Sequence, residues 1–186
     1  TRLRTVTGVQ TCALPISTLM VTAADRRIRA ALPLAPAGGA SPLPAEPLRD
    51  ALRFDWGRAV PTLYLVAERD SLLPVEGMRE LRDKTPEPRR LAVLLDADHM
   101  HFCDRIEQVH EMFRTMPPPG DFARVAQSVP PIAELCPADH GYAFNCALGL
   151  AHFDAHLKGR AEAKEFLAAD VERVFADRGI RIELEN

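Results

Sequence analysis

The amino-acid sequence predicts an α/β fold, and three observations predict it. From residue 17 onward, blocks with helical spacing of apolar residues alternate with strand-like blocks. Two near-continuous apolar runs, Thr62-Leu63-Tyr64-Leu65-Val66-Ala67 and Leu91-Ala92-Val93-Leu94-Leu95, have the composition of strands buried on both faces of a parallel sheet. The stretch between them is long enough to carry a crossover helix, as parallel pairing requires.

Taken in order, residues 17–25 read as the last turns of a helix, and residues 28–34 as a short buried strand. Residues 35–47, with Pro36, Pro42, Pro44, Pro47 and the pair Gly38-Gly39, read as a loop or lid above the strand ends. Residues 55–60 lead into the strand opened by Pro61. Val75, Met78 and Leu81 share one face of a helix over 74–84, with Pro74 at its first turn, and the proline-rich turn 85–88 ends it. Beyond the second apolar strand the chain is mainly helical. Ile106, Val109, His110 and Phe113 share a face, and two further helices are expected over 142–157 and 161–178, with Gly159 between them and Gly179 closing the last.

Composition narrows the function classes. The chain has 186 residues, 47% of them hydrophobic, and 23 Lys+Arg against 26 Asp+Glu, a formal net charge of -3. That length suits one domain or a piece of one. The charge balance offers no positive field for phosphates, so nucleic-acid binding is disfavoured. No apolar run approaches the roughly 18 residues that span a bilayer, so no membrane partner is expected. Four cysteines without a C-x-x-C pair do not make a disulfide scaffold.

The first sixteen residues are read apart from the rest. Residues 6–16, Val-Thr-Gly-Val-Gln-Thr-Cys-Ala-Leu-Pro-Ile, resemble the in-frame translation of a sequencing-library adapter. Residues 1–16 are therefore expected to be non-native, and residues 17–186 a partial domain from a metagenomic gene fragment. On this reading Cys12 leaves the cysteine inventory, and localisation cannot be inferred.

The candidate chemistry lies just past the two clearest strands, where an open parallel sheet places its reactive crevice. Asp70 follows the first in Glu68-Arg69-Asp70-Ser71, and His99 follows the second in Asp96-Ala97-Asp98-His99-Met100-His101. If the strands are neighbours, their tips lie about 4.8 Å apart, and the carboxylate can orient the imidazole as in a hydrolytic triad. Asp96 and Asp98 are alternative partners for His99, and His101 is an alternative proton carrier. His152 and His156, four apart on one helix, could be drawn into a zinc site, but without H-E-x-x-H they read more simply as a helix face packed on the sheet. No metal or cofactor is expected. Cys136 and Cys146 could bridge in an oxidising compartment but read more simply as free buried thiols, and Phe54, Trp56 and Tyr64 as core or pocket wall.

Three passages resemble the α/β-hydrolases, in particular their dienelactone hydrolase-like and esterase branches. Residues 61–70 with Pro74 are similar to the acid strand and turn, residues 91–102 to the histidine strand and loop, and Leu150-Ala151-His152-Phe153-Asp154-Ala155-His156-Leu157-Lys158-Gly159 to the terminal helix. The resemblance implies a mostly parallel sheet flanked by helices and a serine-type hydrolase of small-molecule carboxylic esters, with Asp70 and His99 as catalytic residues. The alternatives are an acyl-peptidase-type serine hydrolase and a non-catalytic binding protein of the same fold. The G-x-S-x-G nucleophile elbow of that family is absent from this sequence. It is expected upstream of Ser17, which reads as a helix residue and not as the nucleophile. The fragment is thus expected to be inactive, and its uncovered sheet edge at 28–34 to make it poorly soluble. Oligomeric state is not legible.

Overall fold

The computed structural model describes residues 15–38, 50–117 and 119–186. Residues 1–14, which hold most of the adapter-like stretch and Cys12, lie outside the described residues, as do 39–49 of the proline-rich stretch. The chain is α/β: the described residues form seven helices and a small mixed sheet.

Helix α1 (Pro15–Ala24) comes first, with Ile16 and Leu19 fully buried. The last carbonyls of a helix lack partners within it. Here Arg58 supplies them: its Nη2 donates to the carbonyls of Thr22 (2.6 Å) and Asp25 (2.9 Å), and its Nη1 to that of Ile28. A cation there also complements the helix dipole. Arg58→Met should take the side-chain donor from these part-buried carbonyls, leaving Asp25 only its bond from the Ile28 N–H (3.2 Å), and lower the unfolding free energy by about 1–3 kcal/mol. An unchanged urea midpoint would show that water replaces the guanidinium at no cost.

Residues 28–34 do not form a continuous strand. Ala31 and Leu34 make isolated parallel bridges to Thr62 and Leu65. The ladder is otherwise regular: Ala31 donates to Pro61, Leu63 to Ala31, Leu65 to Pro33 and Ala35 to Leu65. Its missing middle rung falls at Pro33, which has no N–H to donate. A proline facing its neighbour strand thus interrupts a segment whose apolar content alone predicts a strand.

Strands β1 (Thr62–Ala67) and β2 (Arg89–Leu94) pair in parallel, from Thr62 opposite Arg89 to Ala67 opposite Leu94. All six β1 side chains are buried. Because successive side chains point to opposite faces, both faces of β1 are covered. Helix α2 (Val75–Lys84) makes the crossover and buries Val75, Met78 and Leu81, the expected stripe. Its end is clamped to β1 through Thr85, whose hydroxyl donates to the Leu81 carbonyl (2.9 Å) and so must accept from the Tyr64 hydroxyl at 2.5 Å. Gly38 crosses the first turn of α2 so closely that a Cβ there would meet the Gly77 carbonyl oxygen at 2.0 Å.

After β2 come a 3-10 turn (His99–Phe102), α3 (Ile106–Thr115), α4 (Asp121–Ala126) and a second 3-10 turn (Ile132–Glu134). Next are α5 (Ala138–Leu157), α6 (Ala161–Ala168) and α7 (Val171–Ala176). The single helix expected over 161–178 is two. Asp170 caps α7 by accepting from the Arg173 N–H (3.1 Å), and this local bond competes with helix continuation. Phe144 of α5 stacks edge-on against Phe175 of α7, centroids 6.2 Å apart.

Strand β3 (Ile182–Glu185) pairs antiparallel with β2 and was not expected. Its signal is present in the alternation of Ile180, Ile182 and Leu184: the first two are buried and Leu184 packs partly against the core. Among the described residues, no helix is long and apolar enough to cross a membrane.

Candidate active site

The parallel register sets the carboxyl ends of β1 and β2 side by side, and backbone bonds extend the pairing into the loops. Glu68 N–H donates to the Leu94 carbonyl (3.0 Å) and Arg69 N–H to that of Ala97 (2.9 Å). Asp70 comes next and is held as a turn residue. Its Oδ1 accepts from the N–H groups of Leu72 (3.0 Å) and Leu73 (2.7 Å), the Asx geometry that short acids favour. This leaves Oδ2 to face the neighbouring loop.

His99 opens the 3-10 turn after β2, and Asp98 caps that turn by accepting from the Met100 N–H at 3.0 Å. The cap turns the His99 ring toward the first loop, where its Nδ1 lies 2.8 Å from Asp70 Oδ2. Both residues are buried, each 4% exposed. Burial is the largest influence on Asp70 and pushes its carboxyl above the usual range. The His99 ring and the Leu73 N–H pull in the opposite direction. Nδ1 is thus the ring nitrogen that faces the carboxylate, with Nε2 on the other side of the ring.

The structure separates the other candidates from this pair. Asp96, in a left-handed conformation at φ 52°, directs its carboxylate to Arg181. Asp98 is committed to the cap and faces the buried His110, 3.8 Å away. His101 is buried with both nitrogens engaged: Nδ1 accepts from the Asp98 N–H and Nε2 donates to the Cys136 carbonyl, each at 3.0 Å. Burial holds its pKa below the ordinary imidazole value. His101 is therefore a bolt between the histidine turn and the segment before α5. Ser17 lies in the first turn of α1.

One contact escaped sequence reasoning. Gly141, in α5, packs so tightly on the histidine turn that a Cβ there would meet the His101 carbonyl oxygen at 2.5 Å. A glycine inside a helix costs about 1 kcal/mol relative to alanine, and that cost is the signal that a close approach requires it. Gly141→Ala must push α5 away from the turn. It is expected to cost about 1–3 kcal/mol and to disturb the His99 ring resonances, whereas a wild-type melting curve and spectrum would refute the contact.

His152 and His156 stack on α5 with ring centroids 4.9 Å apart, His152 buried and His156 exposed. Trp56 and Tyr64 are core residues, and Phe54 is half-buried against the core. The cysteine expectation needs correction: Cys136 is only part-buried, and Cys146 is exposed on α5 because its helical position faces away from the sheet. Both are free, and burial raises the Cys136 thiol to about 11.

No family model and no curated protein matches this chain.

Proposed function

We propose that Asp70 and His99 are the acid and base of a serine-type hydrolase acting on carboxylic esters, of the α/β-hydrolase kind the sequence resembles. The buried 2.8 Å contact between them, made by two loops leaving adjacent parallel strands, is the observation that supports this reading. In the reaction, His99 Nε2 takes the proton of a nucleophilic hydroxyl or thiol as that group attacks the ester carbonyl. It then passes the proton to the leaving alkoxide. Asp70 holds the ring with Nδ1–H toward itself and stabilises the imidazolium between those two steps. The nucleophile and the oxyanion donors belong, on this proposal, to sequence upstream of Ser17 in the parent gene.

The test uses that parent, restored with its natural upstream sequence, against p-nitrophenyl esters. His99→Gln should abolish turnover. His101→Gln should keep the chemistry while losing stability, because both nitrogens of His101 bind backbone groups. Retention of turnover by His99→Gln would remove His99 from the mechanism. Loss of turnover by a folded His101→Gln with His99→Gln intact would reassign the base.

A further inference from the structure

A cavity of about 520 Å³ opens at the end of the sheet opposite Asp70 and His99. The first residues of both parallel strands, Thr62, Leu63, Arg89 and Arg90, form its floor, and α5 and α6 supply the walls. The two ends of a six-residue strand lie roughly 16 Å apart, so this site is separate from the candidate active site. Its size falls within the range of about 300–1,000 Å³ common to small-molecule pockets.

We propose that this cavity binds a small organic carboxylate carrying an apolar body. Two features of the lining select that chemistry. The first is surplus positive charge. Glu87 takes up Arg89 (3.3 Å), but Arg90 gives one N–H to the Leu167 carbonyl (2.8 Å) and Lys164 makes no ion pair among the described residues. Arg90 and Lys164 thus form no ion pair among the described residues, while the Asn186 terminus, which also lines the cavity, is taken up by Arg82 (3.0 Å). The second is an apolar stretch of wall formed by Pro61, Leu63, Ala155 and Leu167. A fully hydrated inorganic anion would leave that surface wet. A neutral apolar molecule would leave the cations unanswered. An anionic head on an apolar body satisfies both, with Arg90 and Lys164 on the carboxylate and the tail against Leu63 and Leu167.

Titration calorimetry of the 186-residue chain with octanoate, 1-octanol and inorganic phosphate tests the proposal. Octanoate is expected to bind at least tenfold more tightly than either of the others and to shift the His152 ring resonances. The variant Arg90→Gln/Lys164→Gln, at two exposed positions, should keep the wild-type melting curve and weaken octanoate at least tenfold. Equal binding of octanol would reduce the site to a greasy cleft, and equal binding of phosphate would remove the apolar requirement. Octanoate affinity unchanged in the double variant, or no octanoate binding at all, would overturn the proposal. Ester turnover enters none of these readouts, so the outcome is independent of the role of Asp70 and His99.

Discussion

Replacing Asp70 with asparagine should lower kcat/KM of the restored parent toward p-nitrophenyl acetate by about 10³–10⁴-fold. The asparagine carbonyl can still accept from Leu72 and Leu73, which bind Oδ1 in the wild type, so the turn should survive. The atom facing His99 Nδ1 then becomes an N–H₂ donor. Two donors cannot share one bond, so the ring must expose its lone pair at Nδ1 and carry its proton on Nε2. In that tautomer Nε2 cannot accept a proton from a nucleophile. His99→Ala should cost a comparable factor, and the double variant little more than either single, because the two groups act as one unit. A loss below tenfold for Asp70→Asn, or multiplicative losses in the double variant, would show that the carboxylate does not serve the imidazole. His99→Ala has a second consequence. Without the ring, burial dominates at Asp70 and should keep more of its carboxyl protonated as pH rises, observable as a carboxyl resonance titrating at higher pH than in the wild type.

The second large effect is a loss of stability in acid. Burial lowers the His152 pKa from 6.5 to about 4, with His156 as a lesser influence, and His156 is itself lowered by burial, Lys164 and Arg90. The unfolded chain binds a proton on His152 near the ordinary value, whereas the folded chain does not until much lower pH. Stability is therefore full above about pH 6.5 and declines as pH falls toward about 4. Over that interval the loss from His152 amounts to roughly 3 kcal/mol, a large fraction of a typical domain's stability. Urea midpoints measured between pH 7 and 4 should show this slope, and His152→Leu should flatten it. An unaltered slope in that variant would move the acid sensitivity to another group.

The candidate site was legible because each member directly follows an apolar run. A strand buried on both faces can be read from its composition, and in a parallel pair both carboxyl ends lie on one edge. Choosing His99 over His101, and Asp70 over Asp96 or Asp98, was not possible on the same terms. All five sit in the same two loops, and only the direction of each side chain separates them. The cap at Asp98 sets His99 against Asp70 and His101 against the Cys136 carbonyl, and Arg181, far away in the chain, takes Asp96. The split of 161–178 and the break at Pro33 had local causes, a capping aspartate and a missing N–H. Even so, hydrophobic content over each window favoured a continuous element.

By itself, the sequence determined the α/β class, both parallel strands, the crossover helix and the two loop segments that hold the candidate chemistry, because periodicity and local propensity act over a few neighbouring residues. Only the tertiary structure decided that Asp70 faces His99, that Arg58 closes α1, that Gly141 admits the histidine turn and that His152 borders a cationic cavity. Each of these depends on the distance between groups brought together from separate segments of the chain, and spacing along the sequence does not encode that distance.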